Sequence, residues 1–351
     1  MAISPPLTRA TALLAVLLAA PALGQEPGLD TIPVASVDLY GLRTVPDSAV
    51  RRAVGITPGA PIPDSAARAA AIARVEALPG VSRARLEPVC CTAAGGLMLY
   101  VGVEETGAPT LRSAPAPSGA VRLPPEVLAA GDAFERAFAE AIAHRDFAEM
   151  DTAGHALMHW PAARAVQLRF VDLAARYAPE LRDVLHHAAD PAQRALAAQV
   201  LGYVADKGTV VEDLATALRD PDETVRNNAT RALWLTALLG QRRPELGIHV
   251  PYEPLVAMLG SPVWTDRNKA SLALMQLTAS RDPALLALLR ARSLPALVEM
   301  ANWQNIGHAG AALMILGRLA GMSDEEIAGA LQRGEREPIL RAAAGIAGRA
   351  P

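Results

Sequence analysis

Cysteine, aromatic residues and long apolar runs are all scarce in this chain of 351 residues. Aromatic side chains make up 4% of it, and the only two cysteines are neighbours, Cys90 and Cys91. A framework of several disulfides is therefore excluded. Beyond residue 24 no segment is continuously apolar for the ~18 residues that a membrane-spanning helix needs. The sequence thus predicts no membrane span in that part of the chain.

Basic residues are not in excess either, with 33 Lys and Arg against 36 Asp and Glu and a net charge of −3. Proteins that bind nucleic acid usually carry a basic face, so this balance argues against a nucleic-acid partner. The sequence also lacks a Gly-rich phosphate loop, Gly-x-Ser-x-Gly and His-Glu-x-x-His, the local signatures of several enzyme classes. We therefore expect no cofactor and no catalysis.

The first 24 residues have the form of a secretory signal peptide. Arg9 precedes an apolar run over residues 10–20, and Ala22 and Gly24 supply small residues at positions −3 and −1 of a cleavage site. The run is about half the ~20 residues needed to cross a bilayer. We expect cleavage after Gly24 and a periplasmic or secreted protein. Since only Arg9 is lost as a charge, the remaining chain carries −4.

The two adjacent cysteines allow three interpretations in an oxidising compartment. Adjacent Cα atoms are ~3.8 Å apart, which is below the usual ~4.4–6.8 Å span of a disulfide. Cys90 and Cys91 therefore form a vicinal disulfide, remain two free thiols, or bridge to a partner or a second copy. None of the three indicates catalysis.

Residues 30–105 have the pattern of a small α/β module. The first strand alternates apolar and polar residues over 35–40, two short helices are expected over 46–53 and 64–78, and two strands follow. The apolar face of the last strand is formed by Leu97, Leu99, Val101 and Val103. Tyr100 lies on its opposite face and is a candidate contact for a protein partner.

The order β-α-α-β-β resembles a POTRA domain, a module of bacterial outer-membrane assembly, secretion and cell-division proteins. The segments that carry the resemblance are Gly41-Leu42-Arg43-Thr44-Val45, Ile56-Thr57-Pro58-Gly59, Leu78-Pro79-Gly80-Val81 and Tyr100-Val101-Gly102-Val103-Glu104-Glu105. The resemblance implies binding of another chain by strand addition at a sheet edge, where unpaired N–H and C=O groups are available. The alternative is that the module only packs against the rest of the chain or caps it.

Residues 106–125 contain five prolines among Ala, Ser and Gly and have no apolar period. This composition is typical of an extended linker. We therefore expect the module before it and the domain after it to move relative to each other.

Residues 126–351 contain a recurring pattern, Arg-x-x-Ala-x-x-(Val/Ala)-Leu, within helical apolar periodicity. The arginines of the three clear copies are Arg194, Arg226 and Arg267, and looser copies follow at His308 and Arg341. Repeats of 32 to 41 residues indicate a stacked helical solenoid, because one helical hairpin cannot bury its apolar face alone. The fold class is thus mainly α, with a small N-terminal α/β domain.

This half of the chain resembles HEAT repeats. The matching elements are Asp190-Pro191…Arg194…Ala197…Leu201-Gly202, Asp220-Pro221…Val225-Arg226…Ala229…Ala232-Leu233 and Ser261-Pro262…Arg267…Ala270…Leu274. The resemblance implies a curved α-solenoid that serves as a protein-binding scaffold. It also implies a structural role for each repeat arginine, paired with an aspartate such as Asp190 or Asp220 at the turn of its own or the next repeat. His308 replaces the arginine in the fourth copy, which predicts a break in this series.

An insertion over residues 240–254 lengthens the step between the second and third copies. Loops that interrupt a repeat often carry its binding specificity. The candidate contact residues in this loop are Arg242, Arg243, His249 and Tyr252.

These observations predict an exported, non-catalytic scaffold that bridges envelope proteins, one along the solenoid and one at the sheet edge of the module. A first alternative is an accessory factor of envelope or outer-membrane protein assembly, whose partner is membrane-embedded. A second is a metal-dependent enzyme that uses His155 and His159, which are four residues apart and would share a helix face. A zinc site needs three or four converging ligands, and the sequence supplies no clear third.

Overall fold

The computed structural model describes residues 32–347 except Ala93, Phe147 and Ala153. The predicted signal peptide, residues 1–24, lies outside the described residues. Two units follow, which we call the sheet module (residues 32–105) and the repeat domain (residues 125–347).

The sheet module has the predicted order of elements. These are β1 (Val34–Tyr40), α1 (Asp47–Val54), α2 (Ser65–Glu76), β2 (Val81–Val89) and β3 (Leu97–Glu105). Strand β3 lies in the centre of the sheet, parallel to β1 and antiparallel to β2. Helices α1 and α2 cover one face, where Val50, Val54 and Val75 pack against Leu99 and Val101.

The opposite face of the sheet is also buried, because it packs against the repeat domain. Tyr40, Val89, Met98 and Tyr100 belong to the main hydrophobic core, together with residues of the repeats. A central strand that is covered on both faces reads as apolar throughout, and β3 is buried at every position except Glu104.

The repeat domain is built from paired helices with one short hairpin of strands. Its elements are α3 (Pro125–Ala143), β4 (Glu149–Thr152), β5 (His155–Met158), α4 (Pro161–His187), α5 (Pro191–Leu201), α6 (Val211–Ala217), α7 (Glu223–Arg242), α8 (Glu253–Met258), α9 (Trp264–Leu277), α10 (Pro283–Arg292), α11 (Leu294–Ala301), α12 (Ile306–Leu319), α13 (Asp324–Gln332) and α14 (Glu337–Ala347). Helices α5, α7, α9 and α12 pack side by side in one layer, as stacked repeats require. The fold is therefore a HEAT-like helical repeat with a small N-terminal sheet, as the sequence predicts.

The helix starts follow the capping signals in most repeats. Asp190 and Asp282 accept hydrogen bonds from the first turns of α5 and α10, and Ser323 with Glu326 forms a capping box at α13. Asp220 also precedes a proline, but it does not cap the next helix. Asp222 is the N-cap of α7, because the carboxylate of Asp220 is engaged by a buried arginine, described below.

The segment over residues 106–125 is hydrogen-bonded to the repeat domain. The amide of Ala114 donates to the carbonyl of Arg219, and the amide of Gly119 donates to the carbonyl of His187 at 2.7 Å. The carbonyl of His187 is at the end of α4, where a helix leaves acceptors unpaired, and that of Arg219 lies in the turn after α6. The expectation of a freely moving linker is therefore wrong for this structure, since the segment is held against the repeats.

Candidate interaction site

Buried arginines join successive repeats through paired hydrogen bonds. Arg194 donates to the two carboxylate oxygens of Asp220 at 2.8 and 2.9 Å, and Arg226 donates to those of Asp266 at 2.9 and 2.8 Å. These four side chains are at most 6% exposed. Asp190 instead caps α5 and bonds to Gln193. Bidentate pairs of this kind fix geometry as well as charge, so they hold neighbouring repeats in register.

The third arginine connects the repeats to the sheet module. Arg267 donates to the carbonyl of Ser261 and to Oε2 of Glu299, at 2.7 and 2.8 Å. The same Glu299 oxygen accepts the amide of Gly41 at 3.0 Å. The guanidinium of Arg267 also lies 4.6 Å from the ring centre of Tyr40, within cation–π range.

His308, which replaces the repeat arginine in the fourth copy, contacts the sheet module through Tyr100. Its Nδ1 lies 2.6 Å from the hydroxyl of Tyr100. The Tyr100 ring stacks on Trp264 and meets Trp303 edge-on, with ring centres 5.1 and 5.0 Å apart. Burial and the positive charge of Lys269 lower the pKa of His308 to about 4. A neutral imidazole therefore occupies this contact.

Tyr100 is consequently not an exposed contact residue. It is 0% exposed because its face of β3 is the face that packs on α9 and α12. The structure assigns it to the interface within the chain, which corrects its prediction as a surface for another protein.

Polar groups complete the interface between the sheet module and the repeats. The hydroxyl of Tyr40 donates to the carbonyl of Pro262 at 2.8 Å, and the carboxylate of Glu87 accepts the amide of Trp264 at 3.0 Å. Burial, with the nearby charge of Glu223, raises the pKa of Glu87 to about 7. Gly102 faces the carbonyl of Pro262 so closely that an added Cβ would overlap it.

The edges of the sheet are partly closed to strand addition. On β2 the amide of Ala84 donates to Glu76, and Pro88, which lies on the same side of the strand four residues later, has no N–H. On β1 the amide of Val34 donates to the carbonyl of Ala60, and Arg51 donates to the carbonyl of Val37. These contacts reduce the row of free groups that an added strand would use.

The inserted loop is a separate surface. Arg242 pairs with Asp151 and Arg243 with Glu245, while His249 is exposed and Tyr252 is half-buried against the repeats. No hydrogen bond or ring contact among the described residues joins these four side chains to Tyr100. The predicted contact residues therefore do not form one site.

The histidines of the metal hypothesis lie outside any helix. His155 is in β5, where it stacks on Tyr203 with ring centres 5.7 Å apart, and His159 pairs with Asp146. Burial and the charge of Lys207 lower the pKa of His155 to about 4. The predicted shared helix face is wrong, because Gly154 with a φ of +81° turns the chain into a strand hairpin instead. No group of three or more His, Cys, Asp or Glu side chains suited to a metal ion occurs in the part of the chain that the structure describes.

The cysteines lie in the turn between β2 and β3. The structure joins Cys90 and Cys91 to each other in a disulfide, the first of the three interpretations that the sequence leaves open. The pair is remote in sequence from the repeat arginines and does not line the cleft described next.

A cleft of about 420 Å³ opens where the sheet module, the following segment and the repeats meet. It is lined by residues from four stretches of the chain, within 41–43, 103–110, 256–267 and 291–299. Its size falls in the range of about 300–1,000 Å³ that is usual for ligand sites. The sequence gives no sign of this cleft, because these stretches come together only when the sheet module packs on the repeats.

Comparison with known proteins supports the helical repeats. Residues 178–274 match the family of HEAT repeats, a stretch that contains all three repeat arginines. No curated protein matches the chain. HEAT repeats are commonly protein-interaction scaffolds and are generally non-catalytic. Among the described residues, no helix combines the length and the apolar character that crossing a membrane requires.

Proposed function

We propose that this protein is an exported, non-catalytic scaffold that binds protein partners of the cell envelope, and that the cleft is its main binding surface. The observation that carries the proposal is the cleft itself, which three parts of the chain build together on a HEAT-like solenoid. Solenoids act through extended surfaces that are formed by stacked repeats. The repeats here supply one wall of the cleft, and the sheet module supplies the other.

The site of partner binding on the sheet module differs from the sheet edge that the POTRA resemblance implies. The edges are partly capped by Glu76, Arg51 and the backbone of Ala60. The end of β3 and the loop after β1 instead face the cleft. Bridging of two envelope proteins would therefore use the cleft and a second surface such as the inserted loop over residues 240–254.

Blocking the cleft should remove partner binding. Ala257 is exposed on α8 and lines the cleft, so Ala257→Trp fills it without disturbing a buried contact. The matched control is Ala284→Trp, at an exposed position of α10 that does not line it. Tagged full-length chains would capture proteins from envelope extract, followed by quantitative mass spectrometry. We expect partners to be lost at least ten-fold with Ala257→Trp and retained by the control.

Two results would contradict the proposal. Equal capture by both variants would place the binding surface elsewhere, and the inserted loop would be examined next. Absence of any specific protein from the unmodified bait would remove the scaffold function itself. If Ala257→Trp captures none of the partners and its thermal stability is unchanged, the result would support the cleft as the binding surface.

Export is tested by the N-terminus of the protein that cells release. We expect peptide mass spectrometry of the periplasmic or secreted fraction to find Gln25 as the first residue, because Ala22 and Gly24 supply the small residues of the cleavage site. Leu14→Arg with Leu17→Arg interrupts the apolar run and should leave the uncleaved chain in the cytoplasm. An uncleaved chain that begins at Met1 in the released fraction would contradict cleavage.

A further inference from the structure

Two arginines lie on the rim of the cleft without a partner among the described residues. Arg43 comes from the loop after β1 and Arg292 from the end of α10, so each wall supplies one. Both residues are exposed. Neither guanidinium makes a hydrogen bond or ion pair to another of the described residues. This contrasts with Arg194, Arg226 and Arg267, which are buried and each paired with a carboxylate.

Of the other charged side chains that line the cleft, Arg267 and Glu299 are paired with each other, whereas the Glu104 carboxylate makes no hydrogen bond or ion pair to another described residue. Oε2 of Glu299 accepts hydrogen bonds from Arg267 and from the amide of Gly41, so Arg43, Arg292 and Glu104 together set the local potential. Three arginines and two glutamates line the cleft, giving it a net charge of +1, whereas the whole chain carries −3. A cleft of net positive charge on a chain of net negative charge favours a negative ligand.

The backbone that carries Arg43 is held by a single buried carboxylate. Glu105 accepts hydrogen bonds from the amides of Arg43, Thr44 and Val45 and from the Thr44 hydroxyl, at 2.6 to 3.0 Å. Burial raises the pKa of Glu105, but these donors outweigh it and lower that pKa to about 2. The loop is thus fixed before a ligand arrives, which reduces the ordering cost of binding.

The lining between the arginines is partly apolar. Val103, Val256 and Ala296 are buried residues of the cleft lining, and they come from β3, α8 and α11. An apolar floor with cationic groups at its rim suits a chain segment that alternates small apolar side chains with carboxylates. A small inorganic anion would leave the floor empty.

From this combination we propose that the cleft binds an acidic, extended segment of a protein partner, with its carboxylates at Arg43 and Arg292 and apolar side chains on the floor. The inference rests on the proposed scaffold function and names the class of partner. Exposed Arg–carboxylate pairs contribute modestly and are screened by salt. Affinity for an acidic segment should therefore fall as the salt concentration rises.

The test is fluorescence anisotropy with short labelled peptides and the full-length protein. One peptide alternates Glu with Ala and Val, and a control peptide of the same sequence has Lys in place of each Glu. We expect the acidic peptide to bind at about 20 mM NaCl and to weaken several-fold at about 150 mM. Arg43→Ala and Arg292→Ala should each weaken binding about 5-fold and the double substitution about 25-fold, since the two side chains act separately. Arg52→Ala, at an exposed arginine that does not line the cleft, should leave affinity unchanged.

The outcomes separate this inference from the proposed function. If the protein prefers the basic peptide, or if the acidic peptide still binds after the double substitution, the proposal of an acidic partner segment is overturned. If Ala257→Trp removes captured partners while Arg43→Ala with Arg292→Ala does not, the scaffold function stands and the charge selection is wrong. If both remove them, and Arg52→Ala does not, the inference is supported by natural partners as well as by the peptide.

Discussion

Arg226→Ala is expected to lower the free energy of unfolding by about 3–5 kcal/mol, the usual cost of removing one partner from a buried ion pair. The reason lies in what remains. Asp266 is 0% exposed and loses both hydrogen bonds from the guanidinium. Among the described residues, the side-chain donor that remains to it is the hydroxyl of Ser261 at 2.6 Å. The carbonyls of Asp220 and Pro221 lose the Nη1 donor in the same step.

Urea denaturation followed by circular dichroism measures this loss as a shift of the midpoint. The control is Arg333→Ala, whose partner Glu335 lies two residues away with both side chains about half exposed, and whose guanidinium makes no other hydrogen bond among the described residues. Such surface pairs contribute little, so the control should scarcely move the midpoint. Arg226→Met combined with Asp266→Leu removes both charges and should recover much of the loss. A loss below about 1 kcal/mol for Arg226→Ala would show that the pair does not hold these repeats together.

The repeat architecture could be predicted from sequence because its signals are local. Arg194, Arg226 and Arg267 recur at a fixed place in a helical pattern, and the Asp-Pro pairs at residues 190–191 and 282–283 mark true helix starts. Asp220 shows the limit of such signals. Two aspartates flank Pro221, and only the position of Arg194 in the preceding repeat decides which of them caps the helix.

The sequence indicates the packing of the sheet on the repeats only weakly. Met98 and Tyr100 on β3 are large side chains on the face opposite Leu97 and Leu99, a sign that both faces of the strand are buried. The sequence also shows that His308 replaces the arginine of the repeat pattern. Nothing in the sequence connects the two observations, because Tyr100 and His308 are separated by 208 residues.

The cleft could not be predicted at all. Arg43 and Arg292 belong to no charge run and no repeat position, and they share a site only through the contact of the sheet module with α9 and α11. The sequence pattern does not predict the hairpin of β4 and β5, for a local reason. The four-residue spacing of His155 and His159 fits a helix, but Gly154 reverses the chain just before it.

Gly102→Val is expected to detach the sheet module from the repeats while leaving the module itself folded. Gly102 lies in the middle of β3, and a Cβ there would overlap the carbonyl oxygen of Pro262. Valine suits a strand better than glycine does, so the strand is not weakened. The carbonyl of Pro262 is backbone that cannot turn aside, and the Tyr40 ring, 2.7 Å from the added Cβ, must shift as well, so the sheet must move back from the repeats. Tyr40 and Tyr100 would then lose their packing on Trp303 and Trp264.

Small-angle scattering and limited proteolysis report this separation directly. We expect the radius of gyration to rise and cleavage within residues 106–125 to accelerate roughly ten-fold, because local opening exposes that backbone. The control Gly310→Ala adds a methyl group in α12 where no atom lies within 4 Å, and it should leave both readouts unchanged. The cleft has one wall from each unit, so Gly102→Val should also abolish binding of the acidic peptide. A compact particle that still binds the peptide would mean that the sheet tolerates a side chain at this contact, and that the cleft does not depend on the close approach of Gly102 to Pro262.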